Sequence, residues 1–236
     1  MRRVVLLTLL TLACVGSGAG AAAPGDPQKR IVPTDQAKAR SVNITRADLG
    51  QGWKAETPDP RVGDDFRCSI YNPDESDLTL TGEAESADLS YVQPSELLFV
   101  KSAVSVYKSV AQLNASWQRT VRPGFARCFA EAISAGIAEG GGKGAFKASS
   151  QGKLAFPRIA PQTAAFRVVG RMTANGATLP VTVDLVAVGR DRAVALIFVV
   201  SVVQAPDAAG ERALARLVAA RLAKAFPGGG AGGVSA

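Results

Sequence analysis

From Leu78 onward the chain alternates: Leu78, Leu80, Gly82 and Ala84 fall on one side of an extended segment, Thr79, Thr81, Glu83 and Glu85 on the other. A period of two predicts a half-buried strand with a solvated acidic face, running to Tyr91. After a Gln93-Pro94-Ser95 break, residues 97–107 alternate again, with Leu98, Val100, Ser102, Val104 and Val106 against Phe99, Lys101, Ala103, Ser105 and Tyr107. These two strands are expected to pair as a hairpin. The period then lengthens. Val110, Leu113, Trp117 and Val121 recur at helical spacing up to Pro123, and a second helix begins near Gly124 with Phe125, Cys128, Phe129, Ala132 and Ile133 on one face.

Residues 136–152 are glycine-rich and read as a flexible excursion. Strand signals resume at 153–156 and strengthen at 164–173. Asn175-Gly176 is the strongest hairpin turn in the chain and leads into a strand over 178–188. Gly189-Arg190-Asp191-Arg192 turns into 193–203, an apolar, β-branched run too short to cross a membrane, which predicts a central strand buried on both faces. Pro206-Asp207 opens a last helix through Ala225, with Leu214, Leu217, Val218 and Leu222 toward the core. Earlier in the chain, Asp35 is placed to cap a helix ending at Val42. Residues 45–49 make a further turn closed by Gly50, and Trp53 enters a short strand. The order α–β–β–α–α–β–β–β–α predicts an α+β fold, an antiparallel sheet of five to seven strands packed with helices. No internal repeat is present.

The N-terminus changes the picture. Arg2 and Arg3, the apolar run from Val4 to Val15, and the small residues up to Ala23 have the form of a secretory signal peptide over 1–23. Residues 24–34 then read as a linker, 35–226 as a single domain and 227–236 as a disordered, glycine-rich tail. Cys14, preceded by Ala13, leaves a second outcome open: lipidation there would tether the protein to a membrane, although Thr11 stands where lipoprotein signals usually carry Leu. Loss of Arg2 and Arg3 lowers Lys+Arg from 27 to 25 against 20 acidic residues, so the net charge falls from +7 to +5. That charge is scattered, without the basic clusters of a nucleic-acid surface. A monomer outside the cytoplasm is expected. Once the leader is removed two cysteines remain, and an even count in an oxidising compartment predicts a Cys68–Cys128 disulfide, the alternative being two buried thiols.

Candidate chemistry is limited first by an absence: the sequence contains no histidine. Serine and cysteine nucleophiles activated by imidazole, and His-ligated metals, are excluded. With both cysteines bridged, thiolate chemistry goes too, leaving carboxylates and Ser/Lys pairs. Glu83, Glu85 and Asp88 lie close in sequence, but a solvated strand face accounts for them. Ser105 and Lys108 have S-x-x-K spacing on what reads as opposite strand faces. The glycines around Lys143 lack the pattern of a phosphate loop. Asn43-Ile44-Thr45 and Asn114-Ala115-Ser116 are sequons of consequence only in a eukaryotic secretory route. No catalytic, metal or cofactor-binding residue stands out. Trp53, Trp117, Phe125 and Phe129 form the main aromatic set, expected in the core or lining a pocket between sheet and helices.

Three stretches carry a resemblance: Ala47-Asp48-Leu49-Gly50-Gln51-Gly52-Trp53, the strand-to-helix unit from Ser102 to Trp117 followed by Cys128, and the late strand 192–201. Together they resemble actinobacterial extracytoplasmic sensor-type domains, such as the outer domain of PknH-type receptor kinases, and small exported lipoproteins with a PsbP/Mog1-like α-β-α sandwich. The resemblance implies that sandwich and a non-enzymatic role in the cell envelope, binding a ligand or a protein partner. A secreted hydrolase working through carboxylates or a Ser/Lys pair is the alternative.

Overall fold

The computed structural model describes residues 25–57, 68, 70–93, 96–139, 145–174 and 176–228. The leader with Cys14, residues 229–236 of the tail, and the glycines around Lys143 lie outside the described residues.

The long hairpin forms where Asn175-Gly176 predicts it. Strands β7 (Gln162–Ala174) and β8 (Ala177–Arg190) pair in antiparallel register from Gln162↔Gly189 to Ala174↔Ala177. Gly176 takes the positive φ of +79° that such a turn requires. β9 (Ala193–Val202) returns beside β8 and is flanked on its other side by β5 (Glu96–Tyr107). β3 (Thr79–Glu85) and β4 (Asp88–Gln93) follow one another along the free edge of β5. The single strand expected over 78–91 is thus interrupted at Ser86 and Ala87, where the Ser86 amide donates to the Ser102 carbonyl at 2.8 Å.

Three further strands complete a mixed, mostly antiparallel sheet of nine among the described residues. β1 (Gln28–Lys29) lies parallel to β3, so residues 28–32 of the expected linker are bonded to the sheet. β2 (Lys54–Glu56) pairs with β4. β6 (Ala145–Lys153) pairs with β7, with a register shift between Ala148 and Ser150. The sequence reading of a flexible stretch over 136–152 is corrected here: helix α4 (Phe125–Glu139) enters it from one side and β6 from the other. Six of the nine residues of β6 are exposed, so its serine- and lysine-rich composition carries no apolar pattern. Order comes instead from the β7 ladder and from Phe146, which is buried.

The sheet is covered on both faces, giving the α-β-α arrangement. On one face lie α1 (Pro33–Val42) and α5 (Ala208–Ala225), with Ala39, Val42, Val104, Ile197, Val218 and Leu222 packed between. On the other lies α4, with Phe129, Phe166, Leu185, Phe198 and Val200 beneath it. Ile197 and Val199 face the first core, Phe198 and Val200 the second, as expected of a central strand buried on both sides. Helix α3 (Val110–Thr120), capped by Ser109, closes one end with Leu113 against Leu78, Leu80 and Tyr107. α1 approaches so closely that a Cβ on Gly82 would sit 2.6 Å from the Asp35 carbonyl carbon.

Asp35 does not cap α1. Pro33 opens the helix, suited by its fixed φ and missing N–H, after Val32 as N-cap. Asp35 turns inward instead to meet Arg192 at the β8–β9 turn, accepting at 2.6 and 2.7 Å from its two Nη atoms. These bonds hold the carboxyl below the usual aspartate range. A similar fork ties Arg221 of α5 to Asp48 in α2 (Arg46–Leu49), at 2.7 and 2.9 Å. Cys68 and Cys128 are joined, their Cα atoms 5.6 Å apart, clamping α4 to the segment that precedes the first long strand. Among the described residues no helix is long and apolar enough to cross a membrane.

Candidate functional site

The acidic face predicted for the 78–91 segment is not solvated. Glu85 ends β3 and Asp88 begins β4, so the kink between those strands brings both beside Lys101 of β5. Lys101 Nζ lies 3.1 Å from Glu85 Oε2 and 3.5 Å from Asp88 Oδ1, and the three side chains are 6%, 12% and 15% exposed. Alternation assigns residues to faces; it does not say what covers a face. Glu83, one step earlier, does remain toward the rim, bonded to Lys29 at 2.7 Å.

Proximity here does not mean satisfaction. Lys101 Nζ, Glu85 Oε1 and both carboxylate oxygens of Asp88 are buried without an aligned hydrogen-bond partner. Burial of this kind is costly, because an unpaired polar atom loses its water and gains nothing. Burial is also the main cause pushing the Glu85 carboxyl up to about 7, opposed by Lys101 and reinforced by the charges of Asp88 and Glu83. Asp88 is raised by burial as well, with Lys101 opposing and Glu56 adding to it.

Asp88 and Lys101 open on a recess of about 20 Å³ lined also by Phe99, Phe198 and Val200. A space of that size holds about one water-sized group. Register extends the recess into a strip. Val92 opposes Leu97 and Leu97 opposes Val202; Phe99 opposes Val200; Lys101 opposes Phe198. Leu97 and Phe99 are half-buried and Val92 is 59% exposed. The helices on this face pack elsewhere, α4 over β6 and β7, and α3 at the far end of β5. An apolar path therefore runs from the surface at Val92 to a buried, incompletely bonded acid–base cluster.

The four aromatic residues singled out in the sequence are not assembled. Phe125 and Phe129 stack with centroids 5.8 Å apart inside the core under α4. Trp53 packs against Tyr91, 5.6 Å between centroids, beside the opposite core. Trp117 is half-buried on α3. The Ser/Lys pair is likewise not built: Ser105 lies in the ladder opposite Glu83 and Val194, while Lys108 stands exposed beyond the strand. Asn43 of the first sequon is buried and accepts from the Ser102 hydroxyl at 2.9 Å.

A second buried cluster lies between β7, β8 and α5. Asp184 of β8, with no exposed surface, accepts from Arg167 Nε at 2.7 Å and from its Nη2. Glu211, on the first turn of α5 and 4% exposed, stands against the same pair, 3.9 Å from Arg167. Burial first, then the neighbouring Asp184, push Glu211 up to about 8. The signal was present, since Glu211 continues the stripe of Ala215, Val218 and Leu222. Its charge argued against reading it as inward-facing. Among the described residues no group of three or more His, Cys, Asp or Glu is arranged to hold a metal ion.

No described protein family and no curated protein matches the chain. Two solved structures do. One is LpqN, involved in cell envelope biogenesis of Mycobacterium tuberculosis, with 11% identity over 75% of this chain and 86% of that one and a TM-score of 0.29. The other is the extracellular domain of PknH from Mycobacterium tuberculosis, with 11% identity over 83% of this chain and 98% of that one and a TM-score of 0.39. The second is the outer domain whose pattern the sequence resembles. At these values neither likeness bears on what this chain binds.

Proposed function

We propose that this chain is an exported, non-enzymatic binding or sensor-like domain of the bacterial cell envelope, whose ligand lays an apolar portion along the Val92–Leu97–Phe99 strip. One observation carries the reading. Asp88 is largely buried, both its carboxylate oxygens lack an aligned hydrogen-bond partner, and it lies where an apolar strip meets a small recess. Stable cores complete such groups or omit them, whereas binding sites leave them for the ligand. An uncharged apolar fluorophore, N-phenyl-1-naphthylamine, tests the strip. Its emission should rise on binding the folded protein and fall when Val92→Asp and Phe99→Ser are introduced. Equal emission from the wild-type and substituted proteins would remove the strip from the reading.

The hydrolase reading retains one supporting observation, the two raised carboxyls of Glu85 and Asp88 within one cluster. A general acid poised near neutrality suits glycosidic or ester chemistry. The recess, however, admits a group of water size and not a scissile bond with its two substituents. Turnover of a glycoside or ester panel that disappears in Glu85→Gln would restore this alternative.

A further inference from the structure

Resting on that reading of the strip, the chemistry of its inner end selects the polar end of the ligand. Four carboxylate oxygens meet there with a single ammonium. Glu85 Oε1 and both Asp88 oxygens lack an aligned hydrogen-bond partner, so acceptors are in surplus. The surrounding charge has the same sign: Glu83 and Glu56 each act on the cluster and raise its carboxyls. The charge of Lys101 is already faced by Asp88 and by Glu85, half-ionised at neutral pH, so an incoming anion would find no net positive charge to receive it in a medium of low dielectric. Size gives the same answer independently. About 20 Å³ admits one oxygen or nitrogen with its hydrogens, but not the several heavy atoms of a carboxylate or phosphate.

We infer that the domain recognises amphiphiles whose polar end is a hydrogen-bond donor, a hydroxyl or amino group, and discriminates against carboxylate and phosphate heads. The donor would insert beside Asp88, completing oxygens that the fold leaves without an aligned partner, while the chain lies over Phe99 and Leu97 toward Val92. The selectivity is of the kind in which a site built to bond a group rejects analogues that cannot supply it.

The experiment compares head groups on one chain length. 1-Octanol, octylamine, octanoate and octyl phosphate, all below their solubility limits and critical micelle concentrations, are titrated calorimetrically into the full-length mature protein at neutral pH. Both donor heads should bind at least about tenfold more tightly than either anion, the effect of one charge-assisted hydrogen bond. Asp88→Asn, checked for an unchanged circular dichroism spectrum, should erase the preference while chain-length dependence persists. Anionic heads binding as well as the donors would overturn the inference and leave the strip intact. No binding by any of the four would remove the strip as a ligand seat and the inference with it. The wild-type series decides both points even where the variant fails to fold.

Discussion

Replacing Glu211 by glutamine should stabilise the protein above neutral pH and leave it almost unchanged in acid. Glu211 shares a closed site with the Asp184 carboxylate and Arg167, with Asp207 nearby on the same helix end. Its carboxyl is raised from an ordinary 4.5 to about 8. The folded state therefore holds this proton over a pH range in which the unfolded chain has released it. A raised carboxyl lowers stability as pH climbs from about 4.5, and the loss levels off above about 8. Each pH unit in that window removes about 1.4 kcal/mol, so by pH 7 the wild-type protein has lost about 3 kcal/mol relative to pH 4. Glutamine keeps the shape, can donate its amide N–H to Asp184, and does not titrate. Urea unfolding of both proteins at pH 5 and pH 8 separates the cases. The variant's advantage should be small at pH 5 and grow to a few kcal/mol at pH 8, with unchanged m-values. Glu85 titrates in an overlapping range, so its contribution remains in both proteins and cancels from the difference. A constant difference at both pH values would refute the proton held by Glu211.

Cys68→Ser opens a bridge across a sequence separation of 60, which the chain-entropy account values at about 4 kcal/mol. Its melting temperature should fall to that of the reduced wild-type protein, and an unchanged value without reductant would count against the bridge. Arg192→Ala leaves Asp35 buried without its fork and should cost about 3 kcal/mol by denaturant titration. Arg192→Lys should recover little, since a single ammonium cannot reproduce two parallel bonds; full recovery would show that charge alone matters. Gly82→Ala drives a methyl into the α1 backbone and should cost about 1–3 kcal/mol, which a thermal melt would reveal. Retained stability there would mean that α1 can shift away from β3 freely.

Much of the architecture follows from local pattern because local pattern determined it. Asn175-Gly176 fixes a hairpin through backbone sterics alone, and the apolar run at 193–203 can be accommodated only in the middle of a sheet. The helix at 110–120 is evident from its period. What could not be read from one segment depends on another. Glu85 and Asp88 read as solvent-facing until Lys101, on the neighbouring strand, is brought beside them by the kink at 86–87. Glu211 gains its inward role only when Arg167 and Asp184 are brought beneath α5 by two strands. Asp35 is a reasonable helix cap by type, and only the arrival of Arg192 from the far end of the chain gives it a stronger partner. β6 lacks an apolar face, so its order is lent by β7 and cannot be seen in its own composition.

That last strand has a consequence for the protein as one molecule among many copies. Among the described residues β6 pairs on one side only and ends the sheet, leaving a row of backbone donors and acceptors available to another chain. The register shift between Ala148 and Ser150 interrupts that row, and Lys147 and Lys153 place like charges along it. A second copy offering the same edge would meet mismatched spacing and two repelling ammonium groups. In a crowded compartment the strand's irregularity and charge keep sheets from joining edge to edge into larger aggregates.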